Sequence, residues 1–192
     1  MSSLVPLFVD LSAAIVVVTG NGAAADAAAG RLSGRVKELR RVKGMASAND
    51  LAGARMLVAA AESDADDAVI IAAAREGGLL VVTLPGVAGG WAHLGESVGQ
   101  GGVAIAVTTS GRSLQLEARL ARAAATALEP HHERFAEILE RIRPKLEERF
   151  PDAERRDAIW QQILDSPVIV LLQSGMDDDA LEMAERMAWG TG

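Results

Sequence analysis

Residues 20–25 read Gly-Asn-Gly-Ala-Ala-Ala, directly after the β-branched run Ile15, Val16, Val17, Val18 and at the opening of an alanine-rich segment. This is G-x-G-x-x-A in a strand-to-helix setting. Gly20 permits the tight turn, Gly22 lets a pyrophosphate approach the backbone, and a small sixth residue lets the helix lie on the strand. The same residues serve equally as a plain glycine turn of an α/β protein without ligand. Gly20, Asn21, Gly22, Ala23 and Ala24 are therefore the candidate cofactor-binding residues. The second half of such a site is normally an acidic residue about twenty positions further on, for the adenosine ribose. Arg40 and Arg41 stand there instead. They suit a ribose phosphate, so NADP is an alternative to NAD, and a solvated basic turn is the structural alternative to both.

The chain has three histidines, His93, His131 and His132. None has the helical i, i+4 partner of a metal site, so no metal ligands are assigned. His131 and His132 follow Pro130 at a helix start and read as surface residues. His93 lies beside Trp91 in a glycine-dense stretch and is the better candidate base, since an imidazole titrates near neutrality. The segment "TTSGRS", residues 108–113, joins hydroxyls, a glycine and Arg112 at a strand-to-helix turn. It can cradle a carboxylate or phosphate, or simply cap a helix. With no cysteine, disulfides, thiolate metal sites and thiol nucleophiles are excluded.

The elements that must position these groups follow from pattern. Of the 192 residues 49% are hydrophobic and only 3% aromatic, so small aliphatic side chains must pack the core. Strands are expected at residues 15–18, 54–61 and 79–85, and at "VAIAVTTSG", with "RVKELRRV" either an edge strand or a helical turn. Helices over 23–32 and 62–76, stopped by Gly34 and Gly77, alternate with them. Such alternation gives a parallel sheet covered on both faces. The stretch "GVAGGWAHLGESVGQGG" is too long for a simple connection and reads as a functional loop. Beyond Gly111 the spacing is helical only. Leu116, Leu120, Ala124 and Leu128 form one stripe, and Phe135, Ile138, Leu139, Ile142 and Leu146 another. A further helix follows Pro151 and Asp152, and one capped by Ser166 with Pro167 ends at Gly175. An Asp179–Glu182 capping box opens the last, which Gly190 ends. The division is 1–112 Rossmann-like, 113–150 helical dimerisation segment and 151–192 small helical domain.

Net charge is −7, about −2 up to Ser110 and −5 beyond it, which gives no support to nucleic-acid binding. The N-terminus lacks a basic region, and no apolar span approaches the ~20 residues of a membrane helix. A cytoplasmic protein without membrane partners is the expectation.

The serial order of "LVPLFVDL", "GNG", "LVAAAESDADD", "VVTLP", "AVTTSGRS", "LEARLARAAATALEPHHERFAEILERIR" and "RRDAIWQQIL" resembles precorrin-2 dehydrogenase/sirohydrochlorin ferrochelatase, the dehydrogenase-chelatase module of siroheme synthase. The resemblance covers nearly the whole chain and implies an NAD-binding Rossmann domain, a helical dimerisation segment and a small helical domain. It implies oxidation of precorrin-2 to sirohydrochlorin with NAD, and in many members iron insertion. It adds Val42 and Glu62 to the cofactor-binding set, and Ser110, Arg112 and Ser113 as substrate-binding residues for a carboxylate-rich tetrapyrrole. The departures are specific. Ala23, Ala24, Ala27 and Ala28 replace an acidic residue, a valine and a basic pair. The aspartate that the family uses in both reactions aligns with Thr83, whose hydroxyl does not accept a proton as a carboxylate does. Thr109 takes the place of the active-site serine, and Trp91 and His93 replace another family loop. Thr83, His93 and Thr109 are thus the catalytic candidates, with His93 a substitute base. A catalytically degenerate paralogue that binds a tetrapyrrole or partner enzyme is the alternative. The helical stripes of residues 114–150 are expected to be covered in a homodimer.

Overall fold

The computed structural model describes residues 5–44, 46–60, 64–84 and 87–190, excluding the side chains of residues 64, 65 and 100. It divides into two compact units, residues 1–96 with 107–118, and residues 97–106 with 119–192.

The first unit is built on a parallel sheet of order β2-β1-β3-β4-β5. The strands are β1 (Ile15–Thr19), β2 (Glu38–Val42), β3 (Met56–Ala59), β4 (Leu80–Thr83) and the short β5 (Ala92–His93). "RVKELRRV" thus forms an edge strand, in register with β1 from Ile15↔Glu38 to Thr19↔Val42. Successive residues of β1 feed opposite faces. Val16 and Val18 pack with Ala25, Ala28 and Leu32 of helix α1 (Ala23–Leu32). Val17 joins Leu57, Val81 and, from helix α3 (Asp64–Glu76), Ile70, Ile71 and Ala74. Both faces are buried, which is why these strands read as continuous aliphatic runs rather than alternating ones. The short helix α2 (Ala48–Leu51) is closed by a reciprocal Ser47–Asp50 capping box. The glycine that turns out of α3 is Gly78 (φ 72°), one residue past the expected Gly77.

The sheet corrects one expectation. The composition of residues 103–107 predicts a further parallel strand, and that of the preceding glycine-rich stretch a loop. Instead that stretch supplies β5, and then β6 (Glu96–Gln100), which pairs with β7 (Val103–Val107) as a separate two-stranded ribbon. Two residues, Gly101 and Gly102, join them, and Gly101 has φ 56°, so the pair is a hairpin. β7 alternates between half-buried and exposed residues, unlike a strand covered on both faces.

Helix α4 (Leu114–Ala125) opens the helical part. It is followed by α5 (Pro130–Arg149), α6 (Ala153–Leu164), α7 (Val168–Gln173) and α8 (Asp177–Trp189). Pro130 occupies the first turn of α5, where its missing N–H costs nothing. Asp152 caps α6 by accepting from the Arg155 amide. The last helix begins three residues earlier than expected, with Met176 at its cap, so Asp179 lies inside the first turn and forms no capping box. Three aspartates there still favour the positive end of the helix.

Phe135, Ile138, Ile142 and Leu146 of α5 are buried with Ile163, Val168, Leu172, Ala180, Ala184 and Ala188. The α5 stripe therefore finds its cover within the chain, on α6, α7 and α8, and does not by itself call for a second subunit. Leu116 and Leu120 of α4 do remain exposed. His131, read as a surface residue, is only 4% exposed. Its ring lies 4.2 Å from that of His132 and near the Gln173 amide.

Candidate functional site

In an open parallel sheet, ligands bind beyond the carboxyl ends of the strands where the strand order reverses. Here that point is β1, from which β2 lies to one side and β3 to the other. The chain leaves β1 through Gly20 (φ 104°) and Gly22 (φ 99°), conformations that only glycine adopts without strain. A Cβ at Gly22 would meet nothing within 4 Å, so the backbone there is open to approach. Residues 21–24 are exposed, and no side chain caps the free N–H groups at the start of α1. Ala25, the sixth motif residue, is wholly buried against β1, as a helix lying tightly on a strand requires. Gly20, Asn21, Gly22, Ala23 and Ala24 thus form an uncapped anion cradle, and a dinucleotide pyrophosphate fits it.

The end of β2 beside this turn is different in character. The Gly20 amide donates to the Val42 carbonyl at 3.2 Å, tying the glycine turn to the end of β2. Arg41 crosses the same place. Its Nη1 donates to the carbonyls of Gly20 (2.6 Å), Val42 (3.1 Å) and Val18 (3.4 Å), and its Nη2 to Asp26 Oδ1 at 3.0 Å. Arg41 Nε is buried with no hydrogen-bond partner. Arg40 is committed elsewhere: Nε to Glu38 and Nη1 to the carbonyls of Asp50 and Ala52. The Arg40 bond holds the Glu38 carboxyl below its ordinary range. Glu62 lies outside the described residues.

Further along the sheet edge, parallel pairing puts Thr83 in register with His93. They differ in access. Thr83 is 2% exposed, and its side chain lies so close to Gly90 that no Cβ could stand there. His93 is exposed, as is its neighbour Trp91, over whose ring the Arg75 guanidinium sits at 5.4 Å. Two residues past His93, Gly95 lies against the Val107 carbonyl and Thr108, which brings the "TTSGRS" turn to the same side of this unit.

That turn is organised by a residue the sequence reading passed over. Glu117, in the first turn of α4, is 1% exposed. Its Oε1 accepts from the Thr109 amide (2.7 Å), the Thr109 hydroxyl (2.9 Å) and, at 3.4 Å, the Thr108 hydroxyl. Its Oε2 has no partner. The Thr109 oxygen also accepts from the Ser113 amide at 2.9 Å, so this hydroxyl is used on both sides. Ser113 caps α4 by accepting from the Leu116 amide. Ser110 is held at φ 61° with its amide donating to Thr108. Arg112 is exposed. The signal that could have found Glu117 is an acidic residue in the first turn of an amphipathic helix, on its apolar face, four positions after a serine cap.

Among the described residues no group of three or more His, Asp or Glu could hold a metal ion, and no helix is long and apolar enough to cross a membrane.

The family described as the sirohaem synthase dimerisation region matches residues 131–187. A siroheme synthase of Thioalkalivibrio sulfidiphilus is 38% identical over 85 residues, which is 44% of this chain and 17% of that protein. A siroheme synthase of Methylococcus capsulatus is 28% identical over 197 aligned positions, covering 96% of this chain and 40% of that protein. The chain therefore spans less than half the length of either relative. Among solved structures, SirC, precorrin-2 dehydrogenase, superposes with a TM-score of 0.62 at 16% identity, over 95% of this chain and all of that one, and so shares the fold. Residues 131–187 thus match the sirohaem synthase dimerisation region, the chain is similar to siroheme synthases along most of its length, and it shares the fold of a precorrin-2 dehydrogenase.

Proposed function

We propose that the chain is a siroheme-pathway dehydrogenase that binds a nicotinamide dinucleotide along residues 20–24 and oxidises precorrin-2 to sirohydrochlorin. The observation that carries this is the uncapped N-terminus of α1 behind two left-handed glycines, at the reversal point of a parallel sheet. The bound cofactor supplies a hydride acceptor. The chain's own residues hold the pyrophosphate, orient the ring and take up the proton that the oxidation releases. His93 is the acceptor we favour, being exposed and in register with the position the family fills with aspartate. Arg112, exposed on the 108–113 turn, supplies a cation for a substrate carboxylate, with Ser110 and Ser113 shaping the turn.

Thr83 and Thr109 take supporting parts in this scheme. One is buried against Gly90, and the hydroxyl of the other is already paired with Glu117 and Ser113. These two observations favour a second reading, in which the protein binds a tetrapyrrole without turnover. The position that the resemblance assigns to an aspartate used in both reactions is a closed threonine, so either reaction needs another proton acceptor here. The match at residues 131–187 and the exposed Leu116 and Leu120 support assembly as a homodimer. The deciding experiment incubates purified protein with precorrin-2 and NAD or NADP and follows sirohydrochlorin absorbance. Turnover that falls at least tenfold in His93→Ala supports the dehydrogenase. Tight sirohydrochlorin binding without turnover supports the second reading, and absence of both binding and turnover ends both. A light-scattering mass of one chain at micromolar concentration would remove the homodimer.

A further inference from the structure

We infer that the adenosine end of the dinucleotide site selects a 2′-phosphorylated ribose, NADP over NAD, with Arg41 as phosphate ligand and Asp26 as the carboxylate the phosphate displaces. The inference rests on the dinucleotide reading above. A free ribose diol asks for an acceptor at the end of the second strand. This strand ends in Arg41 and Val42, and its one carboxylate, Glu38, stands at the opposite end, bonded to Arg40. What the edge offers is a fixed cation. Three carbonyls grip Arg41 Nη1, the shortest contact being to Gly20, the first residue of the cofactor turn. A guanidinium held this way loses little freedom on meeting a ligand.

The grip also decides which edge of the guanidinium remains for an anion. Nη2 and Nε form the side edge, the geometry that pairs with two oxygens at once. Asp26 takes only Nη2, and Nε is left buried and unpartnered, an expensive state for a charged donor. The Asp26 side chain is 70% exposed, against 22% for Arg41, so the carboxylate can swing into water while the arginine stays. A phosphate in its place brings a larger charge and oxygens for both Nη2 and Nε. Arg40 is occupied by Glu38 and two carbonyls and does not compete for this role. Lys43, exposed just beyond β2, adds positive charge to the same edge. Asp26 thus screens the site until a 2′-phosphate arrives, and a plain diol gains nothing by displacing it.

Titration calorimetry of the full chain with NADP, NAD, adenosine 2′,5′-bisphosphate and AMP tests this. Each 2′-phosphorylated ligand is expected to bind about ten- to a hundredfold tighter than its partner without that group, as charge-assisted bonds at one site allow. Asp26→Asn tightens NADP by a larger factor than NAD, because only the 2′-phosphate competes for the Arg41 edge that Asp26 covers. Arg41→Gln abolishes the preference, and Arg41→Lys, which keeps the cation but loses the two-donor edge, restores part of it. Equal or tighter binding of NAD by the unaltered chain overturns the inference while the dehydrogenase reading stands. Binding of sirohydrochlorin with neither dinucleotide overturns the inference and the dehydrogenase together and leaves the tetrapyrrole binder.

Discussion

Replacing Glu117 tests whether its buried carboxylate holds the 108–113 turn together. Two of its contacts are strong by geometry, from the Thr109 amide at 2.7 Å and the Thr109 hydroxyl at 2.9 Å, while the 3.4 Å contact to Thr108 contributes little. Bonds to a charged acceptor contribute about 1.5–3 kcal/mol each. The unpartnered Oε2 works against them, because a buried oxygen without a donor costs about 1–3 kcal/mol. Glu117→Ala removes both bonds and leaves a cavity, and the relief at Oε2 offsets part of the loss. The net expectation is about 2–4 kcal/mol of destabilisation. Glu117→Gln keeps one oxygen for Thr109 and removes the buried charge, so it is expected to lose no more than about 1 kcal/mol. Urea denaturation followed by far-ultraviolet circular dichroism measures both, on the transition of the sheet-containing unit. An alanine variant within 0.5 kcal/mol of the unaltered chain, or a glutamine variant as damaged as alanine, refutes the reasoning; either result would mean that the turn holds its shape without the carboxylate.

Thr83→Asp is expected to destabilise by about 3 kcal/mol or more, because the position is buried with Gly90 packed directly on it, and a carboxylate there is taken out of water. A thermal-shift and turnover comparison checks it, and a stable variant with faster oxidation would contradict it. Ile142→Ala, at the centre of the α5–α8 cluster with no exposed surface, should cost about 2–5 kcal/mol in urea denaturation. The Asp50 carboxyl is held below its ordinary value of 3.8 by the Ser47 hydroxyl and amide, so it favours the folded state above that value. This contribution falls away as pH drops from about 4 through the lowered folded value, and Asp50→Asn should flatten that part of an acid melting series.

Much of the framework was readable because it rests on local chemistry. A β-branched run ending at a glycine, an alanine stretch behind it and Ser33-Gly34 after it are enough to give β1 and α1 (Ala23–Leu32). Pro130, Asp152, Gly175 and Gly190 mark helix ends in the same way, since each acts through its own φ preference or its own side chain. Where several residues compete for one job, local reasoning lost. Asp179 has the spacing to Glu182 of a cap for α8, but Asp177 and Asp178 are acidic too, and the helix starts three residues earlier, with Ala180, Ala184 and Ala188 on its buried face.

The alternation of strands and helices, the glycine turn and the helical C-terminal half were legible in the residues because each is a property of a short segment. Which partner each polar group meets follows from contacts between segments far apart in the chain. Residues 103–107 have the composition of a buried strand, but they pair with β6 across a glycine turn, because a strand's partner depends on register with another segment and not on its own composition. Arg41 reads as a free cation until β2 is laid beside β1, which puts its guanidinium on the Gly20 carbonyl and against Asp26. Glu117 reads as one more charge on a helix until the turn folds over it, and only burial turns that charge into the anchor of Thr109.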